Sequence, residues 1–392
     1  MLEESPRKTI YSILSRPSRE ISVGSIRLGG SEPIVIQSMC ATSTQDIDAT
    51  LAQIRSLEAA GAQLIRVAID STSDVESLKA IRQETNANLV VDLQENYRLA
   101  EDVAPLVQKI RYNPGHLCHH EKEVSIEEKV KRIVDVAGNN NCALRIGINC
   151  GSLEKSRTDH AHGANIQIAL ESAMRHCEIV ERLGFSRFVV SIKSSDPEIV
   201  IDANRQFSQI LPHIPIHLGV TEAGLLPDAE IKSRRALEVL LAEGIGDTLR
   251  VSLTVKDEFK FKEVEIGRAI VRDVMSGRLT IKARQGQESR LNIISCPSCS
   301  RVENSAFVDL AERVREATVF ARDVDLTIAV MGCRVNGPGE TDHADLGLWC
   351  APNFVNLKRG SDLVGRFAYD EVVEVMLSHL REMVEKLPIK VG

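Results

Sequence analysis

Short β-branched runs alternate with longer amphipathic stretches over the first 285 residues, and this alternation limits the fold more than any other feature of the sequence. Eight runs have the composition of strands, and a helical stretch follows each one. The predicted strands span residues 33–39, 63–69, 89–93, 108–113, 143–149, 187–193, 214–220 and 248–253. The predicted helices span residues 47–60, 75–84, a short stretch near Leu99, 126–137, 166–183, 197–211, 229–242 and 264–275.

Repeated strand–helix units build parallel sheets, and eight units in about 250 residues are typical of a closed (β/α)8 barrel. Glycines follow three of the helices, at Gly61, Gly184 and Gly244, where left-handed caps are expected. An open doubly wound sheet is the alternative, but no G-x-G-x-x-G follows the first strand. The predicted fold class is therefore α/β, a TIM-type barrel over residues 1–285 followed by a smaller α+β domain over residues 286–392.

Charged and polar residues gather at the ends of the predicted strands, where a (β/α)8 barrel forms its active site. Five cations at one mouth of a mildly acidic protein repel one another unless an anion neutralises them, and arginine forks match phosphate oxygens. The sequence therefore predicts a phosphorylated small molecule as the ligand. The residues at these ends are Arg66, Asp92, Arg111, Asn113, Arg145, Asn149, Lys193, His217, Glu222, Arg250 and Ser252.

Three cysteines and a glutamate in the C-terminal quarter have the spacing of a metal or redox centre. Cys296 and Cys299 form C-P-S-C after the apolar run 291–294, whereas Cys333 follows the run 326–331 and precedes Glu340 by seven residues. These loops can converge on one centre if they leave neighbouring strands at the same end. Three thiolates suit zinc or an iron–sulfur cluster, but an exchangeable carboxylate is a poor fourth ligand for structural zinc. The pattern therefore favours an iron–sulfur domain, with a zinc knuckle as the alternative.

The composition is that of a cytoplasmic enzyme. The 392 residues are 43% hydrophobic, enough for two cores, and the net charge of -7 argues against a nucleic-acid partner. The first residues are polar and have no signal-peptide pattern, and no apolar run is long enough to span a membrane. Nine cysteines without a secretory signal are expected to be reduced thiols or metal ligands.

Several blocks of the sequence, from about Arg16 to Glu385, together resemble one family. That family is 4-hydroxy-3-methylbut-2-enyl diphosphate synthase, in the short form that lacks the central insert. The most specific blocks are S-C-P-S-C-S-R and N-G-P-G-E, in the C-terminal quarter. The others are I-Q-S-M, I-R-Y-N-P-G, R-I-G-I-N, G-S-L-E-K, E-S-A-M-R-H, T-E-A-G and E-G-I-G-D-T-L-R-V-S.

The resemblance implies a reductive ring opening of 2-C-methyl-D-erythritol 2,4-cyclodiphosphate in the methylerythritol phosphate route to isoprenoids. Flavodoxin or ferredoxin would deliver two electrons singly through a [4Fe-4S] cluster. The resemblance also implies a homodimer, in which the cluster of one subunit reaches the barrel of the other.

Family analogy also implies roles for the site residues. Glu222 would donate a proton near the reacting carbon, and Glu340 would be an exchangeable cluster ligand beside the three thiolates of Cys296, Cys299 and Cys333. The diphosphate would be held by Arg66, Arg111, Arg145, Lys193 and Arg250, supported by Asp92, Asn113, Asn149 and Ser252.

The sequence departs from the family pattern at a few positions. The family commonly has a histidine two residues after the aspartate, where this chain has Gln94, and Cys40 replaces the threonine of Q-S-M-T. Residues 349–354 replace a Gly/Lys-rich loop. Two other functions stay in view: a radical S-adenosylmethionine enzyme, for which the C-x3-C-x2-C pattern is absent, and a zinc-stabilised barrel that acts as a lyase or binds a phosphorylated ligand.

Overall fold

The computed structural model describes residues 17–94, 96–150, 162–280, 289–333 and 335–386. Eight parallel strands form the barrel, in the order β8-β7-β6-β5-β4-β3-β10-β9. A bridge between Val190 and Ile216 joins the two ends of this order, so the ring closes. These strands are β3 (Val35–Met39), β4 (Leu64–Ala68), β5 (Leu89–Gln94), β6 (Lys109–Tyr112), β7 (Ala143–Asn149), β8 (Phe188–Lys193), β9 (His217–Leu218) and β10 (Thr248–Leu249).

The predicted (β/α)8 barrel is confirmed, and each predicted helix is present. Polar capping boxes at Ser71 and Ser125 begin two of them, and because the first turn is polar, the helix predicted from Val75 begins at Thr72. Gly61, Gly184 and Gly244 all have positive φ, as predicted. The helices are α1 (Ile47–Ala60), α2 (Thr72–Glu84), α3 (Ala100–Val103), α4 (Ile126–Asn139), α5 (His162–Arg182), α6 (Pro197–Ile210), α7 (Asp228–Ala242) and α8 (Lys262–Met275).

An antiparallel hairpin covers the N-terminal end of the barrel. Its strands, β1 (Ile21–Val23) and β2 (Ile26–Leu28), share a hydrophobic cluster with the first residues of barrel strands, including Leu64, Val90 and Val189. This end of the barrel is therefore apolar, and the charged strand ends lie at the other.

A second, smaller unit follows the barrel and has its own hydrophobic core around Phe307, Val330 and Leu380. Its sheet has the order β11-β12-β13-β14-β15, parallel over the first three strands and antiparallel over the rest. The strands are β11 (Asn292–Ser295), β12 (Thr327–Met331), β13 (Leu346–Cys350), β14 (Val355–Arg359) and β15 (Asp362–Phe367), and the helices are α9 (Ala306–Ala317), α10 (Gly337–His343) and α11 (Val372–Lys386).

The fold class is thus the predicted one, a barrel followed by a smaller domain with a mixed sheet and helices. The domain boundary predicted between residues 285 and 286 lies outside the described residues and stays a prediction. Within the described ranges, no helix combines the length and apolar character needed to cross a membrane.

Candidate active site

The ends of neighbouring barrel strands bring the predicted ligand-binding residues together. Asp92 on β5, Arg111 on β6 and Arg145 on β7 lie in register. At the end of β7, Asn149 lies beside Lys193 on β8. Less than a tenth of each of these side chains is exposed. The backbone ladder therefore assembles a buried cluster from residues far apart in sequence.

Asp92 is the carboxylate shared by this cluster. Its Oδ1 accepts from Arg111 Nη1 at 2.9 Å, and its Oδ2 lies 3.8 Å from Arg66 Nη1 and 3.4 Å from Arg301 Nη1. Burial alone would raise the pKa of Asp92, but the neighbouring guanidiniums of Arg111, Arg66 and Arg301 hold it well below its usual range. One carboxylate thus contacts three cations and can neutralise only one of them.

Arg145 and Lys193 add positive charge to the same space. Arg145 is 2% exposed, and its Nε and Nη1 have no hydrogen-bond partner among the described residues. Burial, followed by the nearby charges of Arg66 and Arg111, lowers the pKa of Arg145 well below its usual value. Burial and the charge of Arg145 likewise lower the pKa of Lys193. Buried donors and excess positive charge together are suited to an anion.

Arg250 differs from the other cations because it already binds both oxygens of one carboxylate. Its Nε and Nη2 donate to both oxygens of Glu263, at 3.2 and 3.0 Å. Glu263 lies in the first turn of α8 and also accepts from Lys260 and Ser38. Sequence reasoning missed Glu263, because nothing in its local pattern distinguishes it from any other acidic residue near a helix start.

Gln94 fills the position where the family commonly has histidine, and it contacts the cluster. Arg111 Nη1 donates to Gln94 Oε1, and Gln94 Nε2 lies 2.9 Å from His116 Nδ1. Since Oε1 accepts from the arginine, Nε2 donates to the imidazole. Gln94 has a φ of 51°, which a non-glycine residue rarely adopts. His116 therefore supports Arg111 through an amide.

The remaining predicted residues lie around the cluster. Asn113 is buried, and its Oδ1 accepts from the Gly115 backbone at 3.2 Å. Ser252 is also buried, and its Oγ has no hydrogen-bond partner in the part of the chain that the structure describes. His217 is buried beside Thr248, with 3.3 Å between Nδ1 and Oγ1.

The three predicted cysteine ligands lie on two loops at one edge of the smaller sheet. Cys296 and Cys299 follow β11, and Cys333 follows β12; the two strands are parallel neighbours, so both loops leave at the same end as predicted. Burial raises the pKa of Cys296 well above its usual value, and the nearby sulfurs of Cys333 and Cys299 raise it further. The Gly332 amide donates to Cys296 Sγ at 3.2 Å.

Glu340 lies on α10 and is 5% exposed. Burial, with a contribution from the negative charge of Glu222, raises the pKa of Glu340 to about 8. The first residue of α10 packs tightly, because a Cβ on Gly337 would lie 2.8 Å from the ring of Trp349. The unexpected segment 349–354 therefore contributes a side chain that supports the loop of Glu340.

The donor set fits an iron–sulfur cluster in its chemistry. Among the described residues, no three His, Cys, Asp or Glu side chains are close enough to hold a single metal ion. Each protein ligand of a four-iron cluster binds a different iron, so the cysteine sulfurs do not converge on one metal position. Three thiols and two buried carboxylates of raised pKa lie close enough to influence one another, and a cationic group among them would be stabilised.

The ligand loops contact the mouth of their own barrel. Ser295 forms a bridge with Ala223, and its amide donates to the carbonyl of Glu222 at 3.2 Å. Thr254 Oγ1 donates to the carbonyl of Cys296 at 2.8 Å. Asn336 Nδ2 donates to Glu222 Oε1 at 2.9 Å. Glu222 therefore lies between the cation cluster and the ligand loops.

These contacts lie within one chain. The homodimer, and the expectation that the cluster of one subunit meets the barrel of the other, stay predictions. Sequence reasoning assigned no role to Asn336 and Arg301, although both lie inside or beside the quoted motifs N-G-P-G-E and S-C-P-S-C-S-R. The motif at residues 151–155 lies outside the described residues.

Comparison with solved structures gives only a weak likeness. A dihydropteroate synthase from Coxiella burnetii is 12% identical with a TM-score of 0.48, covering 67% of this chain and 99% of that chain. The Yersinia pestis dihydropteroate synthase is 13% identical with a TM-score of 0.47, covering 66% of this chain and 98% of that chain. A likeness at this level carries no argument about this chain.

Sequence relatives are far more similar. Proteins named 4-hydroxy-3-methylbut-2-en-1-yl diphosphate synthase (flavodoxin) include one from Rhodopirellula baltica, 54% identical over 96% of this chain and 98% of its own length. One from Nitratiruptor sp. is 38% identical over 94% of this chain and 98% of its own length. The family models for the GcpE TIM-barrel domain and the GcpE protein C-terminal domain match residues 18–268 and 292–382. The chain therefore belongs to the GcpE family.

Proposed function

We propose that this chain is a 4-hydroxy-3-methylbut-2-en-1-yl diphosphate synthase, an oxidoreductase of isoprenoid biosynthesis that reduces 2-C-methyl-D-erythritol 2,4-cyclodiphosphate. The observation that carries the proposal is the meeting of a buried cation cluster with three cysteines and Glu340 at one barrel mouth. Family membership supports it, because relatives that match nearly the whole chain have that name. Two electrons enter, the tertiary C–O bond to the ring phosphate breaks, and the adjacent hydroxyl leaves as water after gaining a proton.

The cation cluster holds the diphosphate in this proposal. Among the described residues, Arg145 and Lys193 form no ion pair with a carboxylate, whereas Arg66 and Arg111 share Asp92 with Arg301. Phosphate oxygens would satisfy the orphaned Arg145 donors, and they match the guanidinium fork bidentately. Asn113, Asn149 and Ser252 support the same ligand. Because Glu263 already neutralises Arg250, that arginine contributes the shape of its side chain and its N–H donors rather than net positive charge.

Glu222 is the proton donor in this proposal. It is 2% exposed, and burial raises its pKa, which keeps the carboxyl protonated closer to neutral pH. Asn336 fixes Oε1 by donating to it at 2.9 Å, while Oε2 has no hydrogen-bond partner within the described ranges. An anchored carboxyl with one oxygen available can deliver a proton to a leaving hydroxyl.

We propose that Cys296, Cys299, Cys333 and Glu340 hold a [4Fe-4S] cluster, which supplies the electrons one at a time. Thiolates are soft ligands that suit iron–sulfur clusters, and a carboxylate is a weaker, exchangeable one. The names of the relatives support flavodoxin as the electron donor, with ferredoxin as the alternative. A cytoplasmic location stays a prediction of the composition.

The test is anaerobic purification followed by metal analysis and turnover. The wild type should contain about four irons and four sulfides per chain, the stoichiometry of a four-iron cluster, and should reduce the cyclic diphosphate. Cys299→Ser should lose most of both metal and activity, because a hydroxyl is a weak ligand for iron. Cys118→Ser, at a half-buried thiol outside the ligand loops, is the control and should keep both. One zinc per chain and no sulfide in the wild type would support the zinc-stabilised lyase or binding module instead.

A homodimer with two equivalent sites is the assembly that we propose. Within this homodimer, a cluster could serve either its own barrel or that of the partner. Mixing an Arg111 variant, inactive in the barrel, with a Cys299 variant, inactive in the cluster domain, distinguishes the two arrangements. Activity recovered on subunit exchange would mean that a cluster serves the partner's barrel. No recovery after proven exchange would favour sites built within one chain, as in the contacts described here.

A further inference from the structure

Arg301 lies two residues after C-P-S-C, and its side chain reaches the barrel mouth at residues on or just after β4 and β5. Its Nε and Nη2 donate to the carboxylate of Asp70, at 2.8 and 2.7 Å. Nη2 also donates to the carbonyl of Asp92 at 2.9 Å, and the side chain is 9% exposed. A guanidinium so fully engaged at its fork is fixed in position.

The two aspartates have different surroundings. Asp70 follows β4, is 39% exposed at its side chain, and forms an ion pair with Arg301 alone among the described residues. Asp92 is buried and also holds Arg111 and Arg66, two of the cations assigned to the diphosphate. Arg301 therefore touches the anion site through a carboxylate that both domains share.

We propose that Arg301 is a positioning residue that couples occupancy of the anion site to the seating of the cysteine loop on the barrel. This inference rests on the proposed function. When phosphate oxygens bind Arg66 and Arg111, these guanidiniums interact with the phosphate as well as with Asp92. Their hold on Asp92 weakens, and its carboxylate becomes more available to Arg301. Asp70 keeps Arg301 aligned while this exchange occurs.

Coupling of this kind is reciprocal, because a ligand that favours the seated loop must itself bind more tightly when the loop is seated. Breaking the contact should therefore weaken cyclic diphosphate binding and reduce the protection that this ligand gives to the loop, by the same factor. A residue that only stabilises the fold would change neither quantity selectively.

The chain offers a matched control. Lys256 and Asp309 form an ion pair at 3.0 Å that also joins the barrel to the smaller domain, but both side chains are more than half exposed. Among the described residues, neither Lys256 nor Asp309 forms an ion pair with Asp92. Asp309→Asn therefore removes a contact between the same two domains without altering the carboxylate of Asp92. Surface pairs of this type contribute little to stability.

The experiment compares Asp70→Asn, Arg301→Gln, Arg301→Lys and Asp309→Asn as anaerobic holoenzymes with measured iron and sulfide. Amide hydrogen exchange of residues 296–302 is measured with and without the cyclic diphosphate. The dissociation constant of the cyclic diphosphate, kcat and KM are measured for the same variants. Asp70→Asn has its substitution outside the ligand loops, so it should keep its cluster. It should bind the cyclic diphosphate about tenfold more weakly, a typical size for coupling between sites, and lose most of the ligand-induced protection.

The other variants grade the effect. Arg301→Gln should show a larger loss than Asp70→Asn, Arg301→Lys an intermediate one because it keeps the charge without the fork, and Asp309→Asn none. Wild-type affinity and protection in Asp70→Asn would overturn the proposal, and so would an equal loss in Asp309→Asn. A wild type that does not reduce the cyclic diphosphate would contradict the proposed function instead.

Discussion

Replacing Arg145 by methionine should stabilise the substrate-free protein and weaken its activity. Arg145 is 2% exposed, and two of its nitrogens, Nε and Nη1, have no hydrogen-bond partner among the described residues. Without an anion, the folded protein bears the cost of a poorly solvated charge beside Arg66 and Arg111. Replacement of buried charges by a hydrophobic side chain of similar volume can raise the free energy of unfolding by about 1–4 kcal/mol.

The effect on activity follows from the same two nitrogens. Hydrogen bonds to charged groups contribute about 1.5–3 kcal/mol each, so two bonds to phosphate amount to about 3–6 kcal/mol. At about 1.4 kcal/mol per factor of ten, kcat/KM should fall about 10²- to 10⁴-fold. The assays are thermal unfolding without substrate and anaerobic turnover with a one-electron reductant.

Arg234 provides the matched control because it is also buried, at 7% exposed, but is paired with carboxylates. It lies on α7 and contacts Glu230, Glu238 and Asp273 at 2.8, 2.7 and 3.1 Å. Arg234→Met should therefore destabilise the fold by about 3–5 kcal/mol, since it leaves buried carboxylates uncompensated, and should leave KM unchanged. If Arg145→Met destabilised the protein to the same extent and kept its kcat/KM, the reasoning about an empty anion-binding charge would be refuted.

Three further predictions address other parts of the molecule. Glu340→Cys should keep its iron and sulfide but lose nearly all turnover, because a thiolate exchanges less readily than a carboxylate; full activity would contradict an exchangeable role for Glu340. His116→Ala should raise KM about fivefold with normal iron content, the effect of losing one hydrogen bond of about 1 kcal/mol that orients Gln94 and Arg111; an unchanged KM would remove His116 from the site. Burial lowers the pKa of His176 from 6.5 to about 4, so its stabilising contribution is present above pH 6.5 and is lost as the pH falls toward 4, by up to about 3 kcal/mol. In chemical denaturation at a series of pH values, His176→Gln should flatten this acid limb, and an unaltered limb would contradict the assignment.

Local patterns in the chain were enough to predict the helices and strands and the end of the barrel that carries the site. The helix Ile47–Ala60 was predicted at its observed bounds, because Asp46 caps its start and Gly61 ends it in a left-handed conformation. The cysteine loops were predicted to meet because two apolar runs preceded them and parallel neighbours end at the same edge. Periodicity and caps depend on residues a few positions apart, which a sequence displays directly.

Strand length was less well predicted. The runs 214–220 and 248–253 are apolar enough to be complete strands, yet the strands there are His217–Leu218 and Thr248–Leu249. An apolar run indicates burial, whereas a strand also needs ladder hydrogen bonds, and those depend on how the neighbouring backbone lies.

Charge pairing was determined by the folded chain. Arg250 resembled the other strand-end cations until α8 placed Glu263 against it. Asp92 receives Arg301 from 209 positions away, and Glu222 receives Asn336 from 114 positions away. A charged residue looks the same in sequence whether its partner is water, a carboxylate or a ligand, and only the packing of distant segments brings one of these within a few ångströms.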